Sequence, residues 1–263
     1  MINLISAEIY KLLRSRAFYV LMIVVFALAA LTAIGFLVVP ADFLERAYGG
    51  LPVEAGLMPF AVVKHTMQLM VICLGVFAGV QISAEFDNGT IRNPIAVGRR
   101  RIDYFIGKLV ASFIASFIFV VTTMVVVTVI ILFRIDWVTP FDAKYVWDLF
   151  KFVMGNTFVL LAYSQIFTML AFLLRNLGGT IGIAVTFSIL EGALANVLVN
   201  SKKLEDYQFL KEIIPNTMVL RLSDIGSRVL PEGDYWKVFL ACVAFIFATG
   251  MVSLATFYKR DIK

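Results

Sequence analysis

The sequence predicts an all-α membrane protein: six transmembrane helices, an interfacial amphipathic helix ahead of the first, and a cytoplasmic loop after the second that carries its own short helix. Three observations predict it. Of 263 residues, 61% are hydrophobic and only 16% are charged, where an ordinary soluble domain is about 25% charged. The apolar residues gather into six runs close to the roughly 20 residues that span a hydrocarbon core. The basic residues are densest in the short segments that would share one side of the membrane.

Taken in order, residues 1–15 place Ile2, Leu4, Ile5, Ile9, Leu12 and Leu13 largely on one helical face, with Glu8, Lys11 and Arg14 leaning to the other. That division predicts a helix lying in the membrane surface; the plainer alternative is a simple extension of the first span. The apolar runs cover about 17–39, 66–82, 109–133, 152–174, 177–199 and 236–258. The second has room to begin near Met58, with Lys64 and His65 reaching outward. Only Arg175 and Asn176 separate the fourth run from the fifth, which requires a tight turn.

An even number of spans puts both termini on one side. The N-terminus, the loop after the second span, Arg175 and the tail hold 12 basic and five acidic residues in short segments. The longer opposite loops hold 11 basic and 12 acidic residues, so the basic density places both termini in the cytoplasm. Among those outer loops, the one after the first span (41–65) contains Gly49-Gly50-Leu51-Pro52 and reads as irregular. Residues 134–151 read as a loop whose Trp137 and Trp147 suit the headgroup layer. In 200–235, Leu204 to Ile214 has helical spacing before a turn at Pro215-Asn216, and its apolar residues argue against disorder.

The chemistry available is narrow. His65 is the only histidine, which excludes a His-Glu-x-x-His zinc site. Gly107-Lys108 has Ile102 where a phosphate-binding loop needs its first glycine, so this chain does not hydrolyse ATP by that route. Cys73 and Cys242 lie in apolar runs and indicate neither a disulfide framework nor a metal site. A net charge of +5 with no basic domain outside the membrane gives no reason to expect nucleic acid. Glu191 is the one acid deep in a span, where a carboxylate costs about 2.5 to 3.5 kcal/mol on insertion scales. It reads either as a polar point on a substrate path or as a paired acid at a helix contact, with Asn156, Gln165, Ser188 and Asn196 as candidate neighbours. Gly75-x-x-x-Gly79 and Gly178-x-x-x-Gly182 permit close helix approach, within the chain or at a dimer face.

The cytoplasmic loop, 83–108, is the most structured polar stretch. Asp87 or Asn88 offers an oxygen to a helix starting near Thr90, Gly98 offers a stop, and a second helix starts near Asp103 and enters the membrane. Lipid anchoring alone accounts for Arg99, Arg100 and Arg101 but not for the start of that helix. Gly89-Thr90-Ile91-Arg92-Asn93, then Gly98-Arg99-Arg100-Arg101 and Gly107-Lys108, together with the tail Phe257-Tyr258-Lys259-Arg260-Asp261-Ile262, resemble ABC-2 type transporter permeases, most closely those resembling bacitracin and lantibiotic immunity permeases. The match departs at Pro94, which removes an amide and disfavours helical geometry at Asn93.

The resemblance covers the whole chain as a single permease domain. It implies an exporter architecture in which this loop forms a coupling helix docked on a separate ATPase, with Glu85, Gly89, Thr90, Ile91, Arg92, Asn93, Gly98, Arg99 and Arg100 as the coupling residues. It also implies two ATPase copies that bind ATP and magnesium, no cofactor in this chain, and a second permease copy, identical or homologous. The bilayer would be a bacterial plasma membrane, and the cargo amphipathic or antimicrobial peptides or hydrophobic compounds. Two other classes stay open from the residues themselves. One is a stand-alone secondary transporter or channel using Glu191; the other is a receptor or scaffold without transport.

Overall fold

The computed structural model describes residues 2–39, 58–91, 96, 98, 100–133, 141–200 and 232–259. Several expectations fall outside that set: the irregular segment around Gly49, the helix from Leu204 to Ile214 with its turn at Pro215, Trp137, Arg92, Asn93, Pro94, Arg99 and the residues after Lys259. The described residues are helical, without strands. Six of the helices are long and apolar enough to cross a membrane.

In chain order α1 is Ile2–Arg14, α2 Arg16–Val38, and α3 Met58–Ala78, which runs through a π-helical turn at Gly79–Ser83 into α4, Ala84–Asp87. Then come α5, Arg101–Ile131, α6, Ala143–Leu174, α7, Leu177–Asn200, and α8, Glu232–Lys259. At 1.5 Å per residue, α5 and α6 are about 46 and 48 Å long, well beyond a hydrocarbon core of about 30 Å. Hydropathy finds the apolar part of such a helix and misses its polar ends.

That is why two expected boundaries move. The second span takes the earlier of its two expected starts, Met58 rather than 66, so 58–65 continue the helix instead of ending a loop. The fourth starts at Ala143 rather than at 152: the Asp142 carboxylate accepts from the Tyr145 amide at 2.8 Å and caps the helix. Trp147 therefore sits on α6, exposed and stacked on Phe150, not in a loop. The tight turn between α6 and α7 is as expected. Arg175 takes the left-handed conformation at φ 54°, and Asn176 Oδ1 accepts from Gly179 N at 2.9 Å.

Helices α3, α5 and α6 form the centre, with 67% of the α6 span buried against 22% for α2 and for α8. The main core joins Phe18, Phe77 and Phe119 to Phe60, Phe152 and Phe167, with Phe60 and Phe152 edge-to-face at 4.8 Å. Peripheral helices leave large apolar side chains outward, among them Tyr19, Ile23, Phe26 and Leu31 on α2, and Leu240, Phe247 and Met251 on α8. Such a continuous apolar exterior has no place in water and suits lipid.

The two glycine pairs behave differently. A Cβ on Gly75 would lie 2.6 Å from Ala184 Cβ, and one on Gly79 3.2 Å from Ile181 Cγ1. These glycines therefore let α3 and α7 touch within the chain. Gly182 has open space around it, and Gly178 meets only Asn176. Among the described residues, the second pair packs against no other helix.

Candidate functional site

The polar centre of the molecule lies where α1, the end of α3 and the start of α5 meet. Helix α1 crosses α5 at Gly107, where an added Cβ would lie 3.2 Å from Glu8 Cγ. One residue on, Lys108 meets the same side chain: its Nζ is 2.7 Å from Glu8 Oε2, and both residues are 1% exposed. The contact is an ion pair without hydrogen-bond alignment at Oε2. Lys108 also donates to Glu85 Oε1 at 2.9 Å and to the Gln81 carbonyl at 3.0 Å. That carbonyl belongs to the π turn, whose wider ring disturbs the i→i+4 ladder and leaves backbone groups open to other partners.

Two more groups complete the cluster. Tyr104 Oη donates to Glu85 Oε2 at 2.5 Å, and Lys11 Nζ bridges Glu8 at 2.8 Å and Glu85 at 3.2 Å. Burial pulls the Lys11 ammonium down, but the hydrogen bond it donates to Glu8 and the two nearby carboxylates outweigh it and hold the group above its ordinary value. Glu8 thus belongs to the buried stripe Leu4, Glu8, Leu12, not to the solvent side where the amphipathic pattern put it. A carboxylate with a matched buried cation can face inward; sequence hydropathy registers only its charge.

The loop is rooted in this cluster. Gly89, at φ 68°, stops the rod formed by α3, the π turn and α4, and Gly89 N and Ile91 N donate back to the Phe86 and Glu85 carbonyls. Asn88 to Ile91 form a turn, so Gly89-Thr90 ends one helix rather than starting the next. Ala96 is helical and Gly98 is left-handed at φ 80°, the stop its position called for. Asp87 caps a different helix from the one expected, since its Oδ2 accepts from Leu177 N at the start of α7, at 3.2 Å. Ser83 Oγ adds a 2.8 Å bond to Thr180 Oγ1, tying the same segment to α7.

Of the expected coupling residues, Glu85 lies in the ion cluster, and Ile91 is 1% exposed among Ile82, Tyr104, Phe105, Phe172 and Phe257. Ile91 therefore holds the loop down and is no contact surface, because an aliphatic side chain beside an apolar cluster is buried before it is offered to a partner. Gly89, Thr90, Gly98 and Arg100 are exposed at the tip. Arg92, Asn93 and Arg99 lie outside the described residues. Beside them, Arg101 donates to the Phe257 and Tyr258 carbonyls at the end of α8, satisfying the orphan acceptors of a helix C-terminus.

The candidate path residues lie on α6 and α7. Glu191 is 8% exposed and shares a hydrogen bond with Tyr163 of α6. Asn156 donates to the Phe152 carbonyl of its own helix at 2.8 Å. Gln165 is fully buried, and neither its oxygen nor its nitrogen has a hydrogen-bond partner among the described residues. Nearby on α7, the Ser188 carbonyl accepts from Gln68 Nε2 at 3.1 Å. Sequence reading missed Glu8 and Lys108 as a pair; the signal was Gly107 next to a lysine, a close-approach residue beside a buried charge.

A helical bundle with six apolar spans and a charged root under one exposed loop defines a multi-pass membrane protein. Residues 4–191 match the family model described as ABC-2 family transporter protein, and the chain belongs to that family. It is the membrane component of an ABC transporter, not the ATPase, and the family implies an ABC ATPase as partner. No curated protein matches the sequence.

Proposed function

We propose that this chain is the permease subunit of an ATP-driven exporter whose separate ATPase docks on the cytoplasmic loop 83–108, with both termini cytoplasmic in a bacterial plasma membrane. The observation that supports this best is the construction of the loop: an exposed tip at Gly89, Thr90 and Arg100 standing on a buried root of Glu85, Ile91, Tyr104 and Lys108. A push on the tip moves α1, α3 and α5 together, because Glu8 and Lys11 of α1 are ion-paired to the same root. Closure of two ATPase subunits on ATP then biases the spans between two states of different cargo affinity, as alternating access requires.

A second permease copy completes the path. Helix α7 offers it a face with Gly182 and Thr186 exposed and open space at Gly182. The cargo in this reading is an amphipathic peptide or another hydrophobic compound taken from the membrane. The test is co-purification in detergent with a candidate ABC ATPase subunit co-expressed with this chain. Arg100→Glu, at an exposed position, should cut the co-eluting ATPase about tenfold while insertion and elution volume stay unchanged. An undiminished yield from Arg100→Glu and Arg92→Glu together overturns docking on this loop.

A further inference from the structure

A cavity of about 140 Å³ opens beside the ion cluster, lined by Glu8, Lys11, Ser15, Gln81, Glu85 and Lys108, with Leu12, Phe77 and Val80 as its apolar wall. At about 30 Å³ per water it has room for about four waters or one small polar group. Its hydrogen-bonding capacity is only partly used. Lys108 spends its three donors on Glu8, Glu85 and the Gln81 carbonyl. Lys11 uses two, on Glu8 and Glu85, and keeps a third.

The Ser15 hydroxyl accepts from Phe18 N and keeps its own proton to donate. On the other side, Gln81 Oε1 is buried and has no donor among the described residues, while both Glu8 oxygens already face an ammonium, Lys11 at Oε1 and Lys108 at Oε2. The unused groups thus form two poles, donors at Lys11 and Ser15 and an acceptor at Gln81. The lining carries two carboxylates and two ammonium groups, so its formal charge is zero. An ion of either sign alone would leave one pole unmet; a small zwitterion with an anionic acceptor end and a cationic N–H end meets both.

We propose that this cavity binds the headgroup of an aminophospholipid, the phosphate at Lys11 and Ser15 and the primary ammonium at Gln81 Oε1. The position fits a lipid: Ser15 is the single residue joining the amphipathic α1 to the first span, where headgroups lie, and the wall of Leu12, Phe77 and Val80 continues toward the core. A choline headgroup has the same charges but no N–H to give Gln81, and a glycerol headgroup has no cation. The bound lipid clamps α1 against the π turn. This site does not depend on the docking of an ATPase.

The test uses the full chain purified from membranes and exchanged into mixed micelles holding equal phosphatidylethanolamine, phosphatidylcholine and phosphatidylglycerol, with retained lipid read by native mass spectrometry. Phosphatidylethanolamine should be retained about tenfold over each of the others, the worth of one hydrogen bond from a charged donor. Gln81→Leu should abolish that preference, and Gln81→Glu, which adds a carboxylate at the acceptor pole, should keep or raise it. Equal retention of the three lipids by the wild-type chain overturns the proposal. So does an unchanged preference in Gln81→Leu, or a preference for the anionic lipid.

Discussion

Two polar regions sit inside this bundle, and they are built on opposite terms. At the root of the loop, Glu8, Glu85, Lys11, Lys108 and Tyr104 satisfy one another across three segments of chain. In the middle of the bundle, Asn156 turns back on its own helix, Gln165 has no partner among the described residues, and Glu191 is shared with Tyr163. The first region locks elements far apart in sequence, residues 8, 85 and 108. The second holds polar groups on neighbouring helices that apolar packing already joins. A buried network is a lock only when its members close on each other; scattered polar groups are a cost the packing must carry.

The largest effect that would break this contrast is at Lys108. Lys108→Ala leaves Glu8 and Glu85 facing each other with little water, and breaking a buried pair from one side costs about 3 to 5 kcal/mol. The expected readout is loss of the monodisperse detergent peak or a steep fall in melting temperature. A variant as stable as wild type would reduce the cluster to incidental contact. Gln165→Leu should act in the opposite direction. Removing an amide whose two polar atoms have no partner among the described residues, with similar volume kept, should stabilise the chain by about 1 kcal/mol in thermal unfolding. A loss of stability instead would show that Gln165 has a partner such as ordered water and belongs with the first region.

The smallest effect sharpens the boundary of the root. Lys11 is the exposed edge of the cluster, and Lys11→Met should cost no more than about 0.5 kcal/mol at neutral pH, the scale of a solvent-screened pair. Its folded-state affinity for the proton is raised. The contribution is therefore fully present below the unfolded lysine value and disappears as pH rises through the folded one. Wild type and Lys11→Met should differ equally at pH 6 and pH 8 and converge only in strongly alkaline solution, as read from melting temperatures. Convergence near neutrality would place the coupling on another group.

The comparison also shows what hydropathy can read. Glu8 and Glu191 are both acids in apolar surroundings. In the sequence Glu191 stands out because its neighbours in the chain are apolar, whereas Glu8 looks like the polar side of an amphipathic helix. In the fold the more consequential of the two is Glu8, because its partner Lys108 comes from a hundred residues away and arrives only when α1 crosses α5 at Gly107. The loop gives the same lesson. Gly98 stops a helix where its local chemistry says it should, but Asp87 reaches across to cap α7 and Ile91 turns inward.

What the sequence determined by itself is the class and its broad plan: all-helical, six apolar spans, an amphipathic first helix, a tight turn at Arg175-Asn176 and a charged loop after the second span. These follow from composition, run length and local turn chemistry, which act over a few residues. Tertiary structure alone decided which polar groups are buried together, which glycine pair packs inside the chain, and where the long helices end beyond the apolar core. The physical reason is that pairing energy depends on distance in space. A charge is costly or stabilising according to what faces it, and the chain does not write that next to the residue.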